Sequence, residues 1–332
     1  MRSCSWRVKR WHVVQKRPSM PTEAQRAQTK MRIALVLVWL MPLLWTVNLV
    51  VARQAPGVVT PHVLALGRWT LAGVILAWWS RQELWRMRRE VIKAWPQSLV
   101  LGACGMWICG AWVYIGAQST GAMNISLIYA ASPVLIAIGS VLWLGERFSM
   151  WQALGVALSL SGVVHVVVRG EWTHLAQLHL VPGDVWVVCS AVAWAAFSLL
   201  QKKWHSPLGS MARLATMCAG GVVVILPFAV YELFATDAPA LGQQAMVQML
   251  ATALIPGVAA YWIYGWTLKV LGASRVAVML YAGPLYAAVV AWGVLGESLG
   301  WYHLAGGLLI LSGVGLVMVT KPSQEVRTTT PR

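Results

Sequence analysis

A stretch of about fifty residues occurs twice in this chain, and the two copies align without a gap. Pro133 and Glu146 of the first copy recur as Pro284 and Glu297, each 151 positions later. The glycines recur at the same spacing: Gly121 with Gly272, Gly145 with Gly296, Gly155 with Gly306 and Gly162 with Gly313. An internal duplication implies that each half folds as one structural unit, so the fold must be built from two related halves.

The composition places both halves in a membrane. Hydrophobic residues make up 58% of the chain and charged residues 11%, whereas soluble domains carry about 25% charged residues. The sequence therefore predicts an all-α integral membrane protein with ten transmembrane helices, five in each half, each close to the roughly 20 residues that cross a bilayer. The predicted helices are α1 32–52, α2 61–80, α3 95–116, α4 120–143, α5 150–169, α6 182–201, α7 212–233, α8 247–268, α9 273–295 and α10 301–320.

The positions of the basic residues predict how these helices are oriented. The net charge is +16, and nearly all of the 26 Lys and Arg residues lie in alternate loops and at the two chain ends. Such a bias marks the cytoplasmic side of a membrane protein, and it differs from a face that binds nucleic acid. We therefore expect both termini in the cytoplasm, with residues 1–31 forming a disordered basic tail and residues 321–332 a second tail.

The two halves are expected to lie upside down to one another. The first five-helix repeat covers residues 32–169 and the second covers residues 182–320. Because five is an odd number of crossings, the second repeat enters the membrane from the side opposite to the first. Inverted repeats of this kind are the architecture of many secondary transporters.

The α4–α5 and α9–α10 pairs resemble the EamA type of the drug/metabolite transporter (DMT) superfamily. The resemblance rests on Pro133 followed by Leu144-Gly145-Glu146-Arg147, on Pro284 followed by Leu295-Gly296-Glu297-Ser298, and on the glycine-bearing helices after them. It implies a ten-helix exporter in the bacterial inner (plasma) membrane, in a family whose members export amino acids, including aromatic ones, other small metabolites or flat organic cations. It also implies a cavity lined by α1, α3, α4, α6, α8 and α9, with α5 and α10 at the periphery.

Aromatic residues are the main candidates for substrate contact. The chain has 21 Trp and 8 Tyr against 4 Phe, and many of the Trp are expected in belts at the membrane surface. Deeper rings with polar tips suit an apolar or aromatic solute, or a cation over a ring face. For each candidate the alternative is that it only packs or bridges helices. With two polar side chains added, the candidate substrate-binding residues are Trp45, Asn48, Trp107, Tyr129, Trp194, Ser198, Tyr261, Tyr264, Tyr281 and Tyr286.

Few charged residues fall inside the predicted helices, and no Asp or Glu lies mid-helix. Glu146 and Glu297 lie at helix ends, where we expect each carboxylate to bond the amides that start the next helix; the alternative for both is a gating role. Asp184 is expected to cap α6. Arg68 is the only cation well inside a segment; it either pairs with a substrate carboxylate or extends to the membrane surface. His165 on α5 is expected to be a hydrogen-bonded packing residue rather than a proton shuttle.

Twin prolines are candidate hinges. Pro133 in α4 and Pro284 in α9 each remove one backbone hydrogen bond and are expected to bend their helices. Because one repeat must open outward when the other opens inward, we hypothesise that the two prolines act as a pair. Small residues on α5 and α10 permit close helix approach, either as a scaffold or as a dimer contact: Gly155, Gly162, Gly306 and Gly313.

These features favour a transporter over an enzyme. No nucleophile–base pair, carboxylate pair or metal-ligand cluster appears at helical spacing, so no catalytic residue, cofactor or metal is expected. The predicted function is export of small amphipathic metabolites by alternating access, with amino acids bearing aromatic or large apolar side chains as substrates. Alternatives are export of flat organic cations and, with less support, exchange of phosphorylated sugars or nucleotide sugars. The expected partners are the substrate and the lipid bilayer, without nucleic acid, for a monomer or homodimer.

Overall fold

The computed structural model describes residues 23–120, 122–177, 179–235, 239, 241–295 and 299–319, and every regular element within them is helical. Ten helices in this part of the chain are long and apolar enough to cross a membrane, which confirms the predicted fold class. The uninterrupted ones are α1 Glu23–Gln54, α2 Pro61–Trp79, α5 Met150–Val167, α6 Pro182–Lys203, α7 Ser210–Ala235 and α10 Trp301–Val319. Shorter helices occupy two loops: Arg81–Arg86 and Arg88–Lys93 after α2, and a 3-10 turn Trp172–Gln177 after α5.

α1 begins earlier than the sequence suggests. It starts at Glu23, so residues 23–31 belong to a helix and the expectation of a disordered tail is wrong for them. Glu, Ala, Gln and Arg in this stretch are good helix formers. They extend a helix that the apolar residues beyond position 31 already nucleate. The rest of the two predicted tails, residues 1–22 and 321–332, lies outside the described residues.

Four of the ten helices are interrupted, and the interruptions follow the repeat. α3 comprises Trp95–Gly102, a π-helical segment Ala103–Trp112 and Val113–Ala117, while α8 comprises Gln243–Thr252, a π-helical segment Ala253–Ala260 and Tyr261–Leu271. α4 comprises Ala122–Ala130 and Ser132–Leu144, while α9 comprises Ala273–Val278, a 3-10 segment Met279–Ala282 and Gly283–Leu295. The duplication in the sequence is therefore also a duplication of backbone irregularities, at equivalent places in the two halves.

The candidate hinge prolines stand at two of these interruptions. Pro133 and Pro284 each occupy the second position of a new helical segment, Ser132–Leu144 in α4 and Gly283–Leu295 in α9. A proline has no N–H to donate and its ring clashes with the preceding turn, so the helix ends just before it and restarts. Both helices are therefore interrupted next to the proline, and the bend and the hinge role stay predictions.

The two halves exchange neighbours around the centre of the bundle. α1 packs against α8 and α9 of the second half, and α6 packs against α3 and α4 of the first half. α2 also packs against α7, and α4 against α9. Both halves therefore contribute to the core together, and the space at the centre has walls from each of them.

The contact between α5 and α10 is made by glycines from both halves. A Cβ atom added at Gly162 would lie 2.6 Å from the carbonyl oxygen of Gly306, and one added at Gly155 would lie 2.6 Å from that of Gly313. Only residues without a side chain let two helix backbones approach this closely. The predicted close approach is confirmed as a scaffold within the chain.

Candidate functional site

A cavity of about 580 Å³ lies between the two halves. Its wall includes residues of α1, α3, α4, α6, α8 and α9, as the family resemblance implies. Three further helices contribute: Arg68 comes from α2, Val163 and Val167 come from α5, and His303 comes from α10. The expectation that α5 and α10 are wholly peripheral is wrong, because one end of each reaches the cavity.

The cavity extends to one end of the bundle, which we call the mouth. Val50 near the end of α1, Val167 at the end of α5 and His303 near the start of α10 line the cavity there, together with Val290 of α9. In the other direction the wall ends at the rings of three aromatic residues, which we call the floor: Trp45, Trp194 and Tyr261.

The floor is built from rings on three helices. Trp45 of α1 and Trp194 of α6 meet edge to face with ring centroids 5.4 Å apart, and the Tyr261 ring of α8 lies 6.1 Å from the first and 5.7 Å from the second. Edge-to-face pairs at such distances stabilise one another beyond their buried area. A second layer lies beneath: the Tyr264 ring is 4.9 Å from that of Trp194, and its hydroxyl shares a 2.5 Å hydrogen bond with Ser198 Oγ. The floor is therefore two aromatic layers deep.

Arg68 is buried in the wall of the cavity and does not extend to the membrane surface. Arg68 is only 5% exposed, and its Nη1 donates a 2.9 Å hydrogen bond to Asn48 Oδ1 on α1. The same oxygen accepts a 2.9 Å hydrogen bond from the Tyr114 hydroxyl on α3. The guanidinium carbon lies 4.4 Å from the centroid of the Trp69 ring. The surface-directed alternative for Arg68 is therefore wrong.

The structure brings most of the predicted residues together. Six of the ten candidates line the cavity: Trp45, Asn48, Tyr129, Trp194, Tyr261 and Tyr281. Both candidate hinge prolines line it as well. Ser198 and Tyr264 form the second layer beneath the floor, where a substrate in the cavity would not touch them. Contact between the six lining residues and a substrate stays a prediction.

Trp107 and Tyr286 do not lie on the cavity wall. The Trp107 ring stacks on that of Phe228 in α7 at 4.5 Å, while Cys109 is the neighbour on α3 that faces the cavity. On α9, Pro284 and residues one turn further along line the cavity, and Tyr286 falls on the other face of that helix. The depth of these residues was predictable from their place in each segment. The face that they occupy depends on packing between distant helices.

Glu146 joins the two halves at the end of the bundle opposite the mouth, which we call the closed end. Its carboxylate accepts hydrogen bonds from the backbone N–H of Ala273 at 3.1 Å and of Ser274 at 3.4 Å, and from Ser274 Oγ at 2.7 Å. The prediction that Glu146 binds the start of the next helix is wrong. The start of α5 has its own capping box, in which the side chains of Ser149 and Gln152 bond each other's backbone N–H.

Three other sequence predictions have different outcomes. Asp184 Oδ2 accepts a 2.9 Å hydrogen bond from the Val181 N–H at the start of α6, which confirms its capping role. His165 Nδ1 accepts a 3.2 Å hydrogen bond from Trp172 Nε1, which confirms a hydrogen-bonded packing role. Glu297, the twin of Glu146, lies outside the described residues.

One buried acid–base contact was not predicted. His62 Nδ1 lies 2.6 Å from Glu232 Oε1, and Glu232 Oε2 accepts hydrogen bonds from the backbone N–H of His62 at 2.9 Å and of Val63 at 3.3 Å. The carboxylate at the end of α7 thereby caps the start of α2. The partners are far apart in the sequence, and no local spacing links them.

The sequence matches the EamA-like transporter family twice, over residues 32–168 and 181–319. It is 25% identical over 284 residues to an uncharacterized transporter of Archaeoglobus fulgidus, covering 85% of this chain and 96% of that protein. It is 28% identical over 257 residues to a Streptantibioticus cattleyicolor protein named "Probable terminal-alkyne amino-acid exporter", covering 76% of this chain and 82% of that protein. The fold is similar to a solved crystal structure with a TM-score of 0.68 at 17% identity, covering 84% of this chain and 94% of that one.

Proposed function

Because the chain belongs to the EamA-like transporter family and is a multi-pass membrane protein with ten apolar helices, we propose that it is a secondary exporter of small amphipathic metabolites. Its preferred substrates are amino acids with aromatic or large apolar side chains. The observation that carries the proposal is the central cavity, with its aromatic floor and a single buried guanidinium in its wall.

The size and lining of the cavity suit a solute of this class. Small-molecule sites in proteins span about 300–1,000 Å³, and this cavity of about 580 Å³ falls within that range. The rings of the floor and the aliphatic side chains of the wall remove an apolar side chain from water, which is favourable by about 25 cal/mol per Å². The name of the Streptantibioticus cattleyicolor relative supports amino-acid export within this family.

A cavity that, as the described residues form it, extends to one end of the bundle supports alternating access. The interruptions before Pro133 and Pro284 give each half an equivalent place to bend, so each half can adopt the arrangement that the other now has. The basic loops and both termini lie in the cytoplasm in this proposal, and the membrane is the bacterial inner membrane. The closed end, where Glu146 meets Ser274, then faces the cytoplasm and the mouth faces outward.

The charge of the cavity argues against the alternative substrates. A flat organic cation would meet the Arg68 guanidinium, and like charges repel strongly where water is scarce. Phosphorylated sugars and nucleotide sugars carry two or more negative charges, whereas Arg68 is the only Lys or Arg in the wall formed by the described residues. A solute with at most one net negative charge fits this wall better.

Counterflow in proteoliposomes tests the proposal. Radiolabelled tryptophan, phenylalanine and leucine are expected to exchange faster than in protein-free liposomes, and aspartate is not. Trp45→Ala removes a ring of the floor and is expected to slow tryptophan exchange about fivefold, the value of roughly 1 kcal/mol of ring contact. Trp292→Ala is the matched control, because that α9 residue is 58% exposed on the outside of the bundle. Exchange of every amino acid at the protein-free rate would contradict the proposal.

A further inference from the structure

We infer that Arg68 binds the carboxylate of the exported solute. No acidic side chain of the described cavity wall pairs with the amino group of that solute. The substrate class is then amphipathic monocarboxylates, of which apolar amino acids are only one kind. Acids in which the amine is acylated or missing are expected to bind equally well. This inference rests on the proposed function, since it concerns solutes held in the same cavity.

The first observation is a buried positive charge without a protein counter-charge. Arg68 is 5% exposed, and within the described residues its side chain bonds the neutral amide of Asn48 rather than a carboxylate. A charge held out of water without a partner is costly, and stacking on the Trp69 ring offsets only part of that cost. A ligand anion would supply the missing counter-charge.

The second observation is that the guanidinium is held in place with donors to spare. Asn48 Oδ1 accepts from Arg68 Nη1 and from the Tyr114 hydroxyl, both at 2.9 Å. The Trp69 ring beside it is itself fixed, because its Nε1 donates a 3.1 Å hydrogen bond to the carbonyl of Met106. Arg68 Nε has no acceptor among the described residues. That nitrogen is buried, so the donors left for a carboxylate are the remaining N–H groups of the two terminal nitrogens, which the planar guanidinium holds in a fixed fork.

The third observation concerns the polar groups in the rest of the wall. Ser132 Oγ and the Tyr281 hydroxyl are on lining residues that are each 1% exposed, and both lack a hydrogen-bond partner in the described part of the chain. Hydroxyls can accept from an ammonium or donate to an amide or ketone with similar ease. No Asp or Glu belongs to the described wall. The wall therefore discriminates strongly for an anionic group and weakly for what replaces the amine.

Binding to purified protein in nanodiscs, followed by quenching of tryptophan fluorescence, tests this inference. The probes are phenylalanine, N-acetylphenylalanine, 3-phenylpropionate, phenylalaninamide and 2-phenylethylamine. The first three keep the carboxylate and are expected to have dissociation constants within about threefold of one another, because only neutral groups contact the amine position. The last two lack the carboxylate and are expected to bind about 10- to 100-fold more weakly, as for loss of a charge-assisted hydrogen-bonded pair.

Two variants assign the preference to Arg68. Arg68→Gln is expected to bring the ratio between acid and amide affinities close to one. Asn48→Asp places a carboxylate of the same shape against Arg68, and it is also expected to bring the ratio between acid and amide affinities close to one. Because this variant keeps the arginine, it tests the role of Arg68 even if Arg68→Gln does not fold. Arg213→Gln is the matched control, because Arg213 is also buried, at 6% exposure, but bonds the Trp204 carbonyl away from the cavity. It is expected to leave the ratio unchanged.

The outcomes separate this inference from the function on which it rests. Equal binding of phenylalanine and its amide by the wild type, or an unchanged ratio in Asn48→Asp, would overturn the role of Arg68 and leave export of amphipathic solutes standing. A parallel set built on serine, with serinamide and 3-hydroxypropionate, covers the reverse case. Carboxylate-dependent binding in that set alone would support Arg68 and overturn the preference for apolar substrates. Absence of binding in both sets would overturn both.

Discussion

At the closed end the two halves meet through polar groups, whereas at the mouth they face each other across the cavity through aliphatic ones. Glu146 of the first half accepts three hydrogen bonds from Ala273 and Ser274 of the second, and Ser140 Oγ lies 2.6 Å from Ser274 Oγ. The lining of the mouth is largely valine. Hydrogen bonds exchanged for bonds to water cost only about 0.5–1.5 kcal/mol each. The comparison shows that the closed end is held by hydrogen bonds that water can replace. The closed end can therefore open at a small cost in free energy.

The contact between α5 and α10 is expected to be equally tight toward the closed end and toward the mouth. Substitutions at its glycines have the largest expected effect, which is on the free energy of unfolding. Gly155→Ala lies toward the closed end and Gly162→Ala toward the mouth, and each Cβ would lie 2.6 Å from a backbone oxygen of α10. Both are expected to lower the free energy of unfolding by about 2 kcal/mol through overpacking. Thermal unfolding of the purified protein measures this. Gly315→Ala on α10 is the control, because its Cβ would enter open space, and a cost confined to one end would contradict a uniform scaffold.

The closed end is expected to open when its carboxylate is removed. Glu146→Gln cannot accept all three hydrogen bonds, and a loss of about 1.4 kcal/mol would shift the opening equilibrium about tenfold. Cys109 lines the cavity, so its modification by a membrane-impermeant maleimide, as the only cysteine left, reports access from each side of oriented vesicles. Glu171→Gln is the control, because that exposed carboxylate pairs with His174 in the segment after α5. An unchanged ratio of access would mean that the aromatic floor alone seals the cavity.

The twin prolines are expected to matter for exchange between the two arrangements. Alanine at position 133 or 284 restores an N–H and lets the helix continue through the break, so either variant is expected to slow counterflow about fivefold without changing binding affinity. Proteoliposome exchange and equilibrium binding measure the two quantities separately. Pro227→Ala provides the control, because Pro227 lies within the uninterrupted α7. Full exchange rates in both variants would remove the hinge role.

The smallest expected effect comes from one hydroxyl at the closed end. Ser140→Ala removes the contact with Ser274 but leaves the Glu146 hydrogen bonds in place. Access to Cys109 from that end is expected to rise by less than about fivefold, as for a single neutral hydrogen bond. A larger rise than in Glu146→Gln would show that the hydroxyl pair, and not the carboxylate, holds the halves together.

The parts of the fold that depend on local sequence were predictable. Apolar length placed the ten helices, and the repeat placed Pro133 and Pro284 at equivalent disruptions. The parts that depend on distant partners were not. Glu146 accepts a hydrogen bond from Ser274 of the other repeat, because Ser149 already caps α5. No spacing within the sequence predicts that partner.

The candidate site divides in the same way. Depth within the predicted segment selected Trp45 and Asn48, and both line the cavity. It also selected Trp107, whose ring turns toward Phe228 on α7. Arg68 was left with two alternatives because its burial depends on acceptance by Asn48, on a different helix. Helix depth is a property of one segment, whereas helix rotation is a property of several packed together.

Arg68 also bears on how this chain enters its membrane during synthesis. A guanidinium at the centre of a lone helix costs about 3 kcal/mol when that helix passes from the translocon into lipid. Its acceptor Asn48 lies on α1, which is made earlier, and the Tyr114 hydroxyl that completes the cluster lies on α3, which is made later. We therefore expect α2 to insert into the bilayer more readily together with α1 and α3 than alone.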